Sequence, residues 1–160
     1  MNKAILFDLD GVLVDACDWH YEALNDALVT KLREPISREL HTTVYNGLPT
    51  YVKLKMLGID ADEAKDINRL KQIYTLSIIR NKAKLMPEKI ELHKYLKDYG
   101  YKIACVTNSI RETATAMLKA TGQLEYMDLL ITNEDVENNK PYPDCYNLAI
   151  EKLNADSEQT

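Results

Sequence analysis

A short apolar run near the start of the chain leads directly into two carboxylates and a glycine. Residues Ile5 to Phe7 are apolar, Asp8 and Asp10 follow at alternate positions, and Gly11 comes next. Side chains alternate between the two faces of a strand, so a regular strand would point both carboxylates the same way. Glycine lets the chain turn sharply just beyond them. Because carboxylates at the end of a buried strand need a partner, this run predicts a site that holds a metal, a substrate or a proton in transit.

The part of the chain after Pro87 alternates between apolar strand patterns and helical patterns. Together with the first strand over 4–9, the pattern predicts strands over 102–107 and 127–132 and helices over 88–98, 111–120 and 143–153. Strands that alternate with helices predict an α/β fold with a parallel sheet covered on both faces. In such sheets the ligand site lies at the carboxyl ends of the strands.

The segment between the first and second strands has only helical signals. Its pattern predicts helices over 17–33, from about 37, over 50–58 and over 60–83. Thr50 is predicted to cap the third of these helices, and Asp60 with Glu63 forms a variant of a capping box for the fourth. We therefore expect a core domain made of residues 1–15 and 85–160, with a helical insertion over 16–84.

Composition and charge exclude several classes of protein. Hydrophobic residues make up 46% and charged residues 28%, as in soluble globular proteins. The net charge of −5 argues against nucleic-acid binding, and an anionic substrate would need a local cation. Three widely spaced cysteines form no CxxC pair and favour a reducing compartment. With no signal peptide or membrane span in the pattern, we expect a cytoplasmic protein without membrane partners.

Two further polar motifs follow the second and third predicted strands. Thr107, Asn108 and Ser109 close the second strand, where a hydroxyl and backbone amides can bind an anion. The alternative is that Ser109 simply caps the next helix. Lys140 stands before Pro141 in the loop after the third strand, where a lone lysine is usually a solvated surface residue.

These three motifs, in this order, resemble those of the haloacid dehalogenase superfamily, in its helical-cap branch of phosphoglycolate phosphatase and β-phosphoglucomutase relatives. The resemblance implies a Rossmann-like core with an inserted cap. It implies that Asp8 attacks phosphorus and that Asp10 acts as general acid and then general base. Thr107 and the backbone of Asn108 would hold the phosphoryl group, and Lys140 would offset its charge. Mg²⁺ would be bound by the Asp8 carboxylate and the Asp10 backbone carbonyl.

The resemblance also implies that the helical insertion selects a small phosphorylated metabolite. His20, Gly47 and Thr50 are the insertion residues expected to contact it. The mutase branch often has an arginine soon after this glycine, whereas Tyr51 and Lys53 follow here, which favours a phosphatase over a mutase. A sugar phosphomutase remains the alternative enzyme.

The family's fourth motif, an acidic pair after a further strand, has no counterpart in this sequence. Glu134 and Asp135 follow the third strand, but in the family such acids enter a loop and are not metal ligands. Without a further strand, the first strand would be an open edge. Three explanations of the missing motif stay open: the chain is part of a longer protein, a partner covers that edge, or the protein is a shortened relative. The non-enzyme alternative is therefore a phosphate-binding or interaction module that has lost turnover.

Overall fold

The computed structural model describes residues 2–45 and 48–160, with Gln159 described by its backbone alone. The described residues form three strands, seven α-helices and three short turns of other helix types. The strands are β1 Ala4–Phe7, β2 Lys102–Val106 and β3 Leu129–Ile131. The α-helices are α1 Cys17–Thr30, α2 Arg38–Leu40, α3 Thr50–Met56, α4 Ala61–Lys82, α5 Pro87–Asp98, α6 Arg111–Ala120 and α7 Asp144–Leu153. The short turns are a π-helical turn at His41–Tyr45 and 3₁₀ turns at Leu124–Tyr126 and Ser157–Gln159.

The chain divides into two compact units. One combines the segment up to Ala16 with Lys82–Thr160, and the other spans Cys17–Asn81. No helix in the part of the chain that the structure describes is long and apolar enough to cross a membrane.

The first unit is built on a three-stranded parallel sheet in the order β1-β2-β3. Phe7 pairs with Cys105, and Val106 pairs with Ile131, so the carboxyl ends of the three strands lie side by side. The strand β1 ends at Phe7, two residues earlier than the sequence pattern predicts. The predicted extent of the strand is therefore wrong, and because neither Asp8 nor Asp10 is in it, the alternation of a regular strand does not set their directions.

Helices cover both faces of this sheet. On one face, α7 packs its buried residues Cys145, Ala149 and Leu153 against the side chains of alternate strand residues. On the other face, the ring of Phe7 meets His93 of α5 edge-on, with 5.7 Å between the ring centroids. Among the described residues, β1 pairs along its length with β2 alone, while a single bridge joins Asn2 to Ala155 on its other side.

The second unit is helical and has its own apolar core. Buried residues from three of its helices and from the connecting segments form that core: Leu24, Ala27, Leu28, Ile36, Tyr45, Leu54, Ile59 and Ile67. Asp60 accepts hydrogen bonds from the amides of Asp62 and Glu63, each 3.1 Å long, and so caps α4 as predicted. The prediction that Thr50 caps α3 is wrong, since Pro49 takes the cap position and Thr50 is the first helical residue.

Lys53 of α3 is a buried cation in this second unit. Only 9% of the residue is exposed, and no hydrogen-bond acceptor for its ammonium is found among the described residues. Burial lowers the pKa of Lys53, while the nearby Cys17 opposes that shift. A group whose pKa is lowered by folding destabilises the folded state at neutral pH, and this penalty fades as pH rises towards its unfolded value.

We therefore expect Lys53→Met to raise the free energy of unfolding at pH 7 by about 1 kcal/mol. Urea unfolding at a series of pH values would measure it, and the gain should shrink between neutral pH and the ordinary lysine pKa of about 10.4. Lys55→Met on the exposed side of the same helix is the matched control and should change stability little. A loss of stability in Lys53→Met would contradict the expectation.

Candidate active site

A closed turn follows β1 and carries Asp10. The carbonyl of Leu9 accepts hydrogen bonds from the amides of Leu13 and Val14, at 2.9 and 3.0 Å, and the Gly11 amide donates to the Val14 carbonyl at 2.8 Å. Gly11 has a φ of +80°, which side chains with a Cβ rarely adopt. The side chains of Leu9, Leu13 and Val14 are buried and anchor the turn. We call residues 9–14 the carboxylate turn.

Asp8 stands just before this turn and forms an ion pair with Lys140. The Lys140 Nζ lies 2.7 Å from Asp8 Oδ1 and also donates to the carbonyl of Val106 at 3.0 Å. The amide of Leu9 donates to the same Asp8 oxygen at 2.7 Å. Both donors therefore use Oδ1, and among the described residues Oδ2 has no donor. The latter is the oxygen available to an incoming group.

Asn108 fixes the backbone of Lys140 at two points. Its side-chain Nδ2 donates to the Lys140 carbonyl, and its Oδ1 accepts from the Lys140 amide, each at 3.0 Å. The family resemblance predicts that Asn108 holds phosphate through its backbone, and a side chain engaged with Lys140 is compatible with that role. The sequence gives no sign of the two side-chain contacts with Lys140.

Ser109 contacts Asp10 and does not cap the helix that follows. Its hydroxyl donates to Asp10 Oδ2 at 3.0 Å, and its amide donates to the hydroxyl of Thr107 at 3.0 Å. Thr107 is buried and its own amide is held by the carbonyl of Ile131. The alternative interpretation of Ser109 as a helix cap is therefore wrong, and Ser109 is a site residue that the sequence analysis did not select.

The two acidic residues after β3 hold the neighbouring loops together. Glu134 accepts the first amide of α6, that of Arg111, at 2.5 Å, a place where a carboxylate also complements the helix dipole. Asp135 accepts from the amide and hydroxyl of Thr132, at 2.7 and 2.9 Å, and pairs with the Arg111 guanidinium. Burial raises the pKa of Asp135, but these hydrogen bonds and the guanidinium outweigh it, so the pKa lies below its usual value.

The thiol of Cys105 lies in β2 next to the end of β1. Burial, with added repulsion from Asp8 and Asp10, raises its pKa to about 12, against a weaker opposing effect of Lys140. A thiol with such a pKa stays protonated at neutral pH and is a poor nucleophile. Asp8 therefore has no competing thiolate from this cysteine.

The oxygen donors at this site fit a magnesium ion. Mg²⁺ prefers hard oxygen ligands, keeps several waters, and is often bound through one or two carboxylates together with substrate phosphate oxygens. The carboxylate of Asp8 and the backbone carbonyl of Asp10 would supply oxygen ligands of this type. No cluster of three or more potential metal-ligating side chains occurs among residues 2–45 and 48–160. The protein would therefore supply few of the ligands, as Mg²⁺ tolerates.

The residues predicted to contact substrate from the helical insertion belong to the second unit. His20 lies in α1 and is half-buried, and Thr50 begins α3. Gly47 lies outside the described residues. The first unit thus brings together Asp8, Asp10, Ser109, Asn108 and Lys140, through the hydrogen bonds and the ion pair given above.

Comparison with known proteins agrees with this architecture. A family model described as haloacid dehalogenase-like hydrolase matches residues 5–160. The chain therefore belongs to the haloacid dehalogenase superfamily and is a phosphoester hydrolase. The predicted α/β fold with a parallel sheet and helices is confirmed.

Three similar proteins illustrate the match. The chain is 31% identical over 172 residues to pyrophosphatase PpaX of Halalkalibacterium halodurans, covering 99% of this chain and 72% of that protein. It is 28% identical to a phosphorylated carbohydrates phosphatase of Thermotoga maritima, with 98% and 73% covered. The structure of CbbY from Rhodobacter sphaeroides in complex with phosphate shares the fold with a TM-score of 0.86 and 23% identity, over 99% of this chain and 76% of that one.

Proposed function

We propose that the chain hydrolyses a small phosphorylated metabolite in a Mg²⁺-dependent reaction through a phosphoaspartate on Asp8. The observation that carries this is the pairing of Asp8 with Lys140 at the end of β1, with Asp10 in the adjoining turn. A carboxylate oxygen without a protein donor, next to a fixed cation, suits attack on an anionic phosphorus centre. The named relatives, a pyrophosphatase and a phosphatase of phosphorylated carbohydrates, support this class of substrate.

The first step transfers the phosphoryl group to the protein. Asp8 Oδ2 forms a bond to phosphorus while the bond from phosphorus to the leaving oxygen breaks, and Asp10 gives its proton to that oxygen. Lys140 offsets the negative charge on the phosphoryl oxygens, and the Thr107 hydroxyl with the amide of Asn108 holds them. When bound by Asp8 and by the backbone carbonyl of Asp10, Mg²⁺ supplies further positive charge at the phosphoryl group.

The second step regenerates the enzyme. Asp10, now ionised, takes a proton from water, whose oxygen attacks phosphorus and breaks its bond to Asp8, releasing inorganic phosphate. Ser109 donates to one Asp10 oxygen and so fixes the orientation of the carboxylate through both steps. The helical segment predicted over 16–84 would act as a cap that selects the substrate through His20, Gly47 and Thr50.

Release of phosphate from a panel of phosphomonoesters and pyrophosphate, with and without Mg²⁺, tests this function. We expect release that rises with Mg²⁺ and falls at least about 100-fold when a chelator removes the ion, because the ion supplies several kcal/mol of charge stabilisation. Ca²⁺ in place of Mg²⁺ is the matched control and should restore little activity, since its larger, more flexible coordination sphere fits the same oxygens poorly.

Two outcomes would replace the proposal with its alternatives. Conversion of a sugar phosphate to an isomer without release of phosphate would identify a phosphomutase. Binding of inorganic phosphate by the folded protein, with no turnover of any ester in the panel, would identify a phosphate-binding module.

A further inference from the structure

A chain of buried polar side chains runs beneath the carboxylate turn. Gln123 and His93 are both fully buried, and His93 Nε2 lies 2.9 Å from Gln123 Oε1. The Gln123 Nε2 donates to the carbonyl of Leu13 in the turn at 3.0 Å and to the hydroxyl of Thr121 at 2.9 Å. Buried polar groups of this kind are costly unless every donor and acceptor is used, so their arrangement is highly specific.

The hydrogen bonds determine which ring nitrogen of His93 carries the hydrogen. The carbonyl of Leu13 can only accept a hydrogen bond, so the amide nitrogen of Gln123 faces Leu13 and its Oε1 faces the ring. An amide oxygen also only accepts, so His93 Nε2 is the donor. The other ring nitrogen, Nδ1, is buried and has no hydrogen-bond partner among the described residues. A proton there would give a buried cation with no acceptor for it, so this geometry favours the neutral ring.

Neighbouring groups also favour the neutral ring. Burial lowers the pKa of His93, the Gln123 hydrogen bond opposes this, and the ammonium groups of Lys89 and Lys97 lower it further. Two aromatic rings also contact His93: Phe7 of β1 meets the ring edge-on, and Tyr126 stacks on it at 6.0 Å between ring centroids.

These contacts reach the chain both before Asp8 and after Asp10. His93 packs against Phe7, the residue before Asp8, and Gln123 holds Leu13, three residues after Asp10. A second side chain binds the same turn: Lys89 Nζ donates a hydrogen bond to the Val12 carbonyl at 2.9 Å. Consecutive carbonyls of the turn are thus each bound by a side chain of the surrounding fold.

We propose that His93 and Gln123 are positioning residues that hold the carboxylate turn, and Asp10 with it, in the geometry that proton transfer needs. This rests on the proposed function of Asp10 as the general acid and base. Small displacements of a catalytic group, even from mutations distant from the chemistry, lower turnover by up to about 100-fold. The neutral Nε2–H form of His93 keeps Gln123 oriented with its amide nitrogen towards the turn.

Gln123→Leu tests the proposal, since leucine keeps the volume and removes the bond to Leu13. We expect kcat to fall about 10- to 100-fold with KM for the ester nearly unchanged, and hydrogen exchange of the Leu13 and Val14 amides to accelerate. Thr121→Val is the matched control. It removes the other acceptor of the same amide but leaves the bond to Leu13, so it should cost stability while leaving kcat and the exchange of the turn unchanged.

Unchanged kcat and unchanged exchange of the turn in a folded Gln123→Leu protein would overturn the proposal. If that variant fails to fold, ¹⁵N NMR of the wild-type histidines decides, because a His93 that is protonated near pH 6.5 or hydrogenated on Nδ1 would equally overturn it. If the wild type releases no phosphate, the proposed function fails. The exchange and tautomer measurements still test the positioning role.

Discussion

Asp8→Asn should abolish the release of phosphate. The substitution keeps the shape of the side chain but removes the anionic oxygen that attacks phosphorus, and an amide is a very weak nucleophile. Loss of a catalytic nucleophile in other enzymes costs up to about 10⁶-fold in kcat. We expect a fall of at least about 10³-fold here, measured as phosphate released under Mg²⁺-saturated conditions with the best ester of the panel.

The variant must be folded for this result to count. Asp8→Asn also leaves the Lys140 ammonium without its carboxylate, and only 15% of the Lys140 side chain is exposed, so some stability will be lost. Thermal unfolding should therefore accompany the assay. Asp98→Asn, at the exposed end of α5, changes the net charge by the same amount away from the site and should keep full activity. Retention of a tenth of the activity by Asp8→Asn would rule out Asp8 as nucleophile.

Asp10→Asn should slow turnover by about 10²- to 10⁴-fold, the usual contribution of general acid–base catalysis. The amide cannot donate a proton to the leaving oxygen or accept one from water. An ester with a good leaving group, such as p-nitrophenyl phosphate, needs no acid in the first step. With that substrate, Asp10→Asn should release about one equivalent of p-nitrophenol per enzyme in a burst and then stall at the phosphoaspartate.

The burst separates the roles of the two carboxylates. Asp8→Asn should show no burst, because no phosphoenzyme can form without the nucleophile. Rapid-mixing absorbance measurements on both variants, with Asp98→Asn as the common control, would resolve the two steps. An Asp10→Asn protein with wild-type steady-state turnover, or one without a burst on this activated ester, would contradict the assignment of Asp10.

The sequence predicts where the site lies better than it predicts how its residues contact one another. Alternation of strands and helices places Asp8, Thr107 and Lys140 after successive parallel strands, whose ends must adjoin. The end of β1 at Phe7 was not predictable, since the carboxylate turn depends on hydrogen bonds from the Leu13 and Val14 amides to the Leu9 carbonyl. The apolar sequence pattern of a strand is the same whether or not its last residues form hydrogen bonds with the neighbouring strand.

Contacts between distant side chains account for the rest of what the sequence could not predict. Ser109 follows a strand and precedes a helix, which is the usual place for a cap, yet Glu134 from another loop takes the first amide of α6 and leaves Ser109 to Asp10. His93 and Gln123 are thirty residues apart, and neither stands in a recognisable motif. Their pairing depends on how α5 and the segment after α6 pack, which no local periodicity encodes.

The two-point clamp of Asn108 on Lys140 ties the loops after β2 and β3 into one mechanical element. A shift of the loop after β2 would therefore also move Lys140, whose ammonium faces Asp8. A change in that loop cannot alter phosphate binding without also altering the neutralisation of charge by Lys140. Aspartate at position 108 would not replace asparagine, because it has no hydrogen to give the Lys140 carbonyl. If either loop were moved into a related protein, the other would have to be moved with it. Without its partner, the side-chain amide of Asn108 or the backbone amide of Lys140 would have no acceptor.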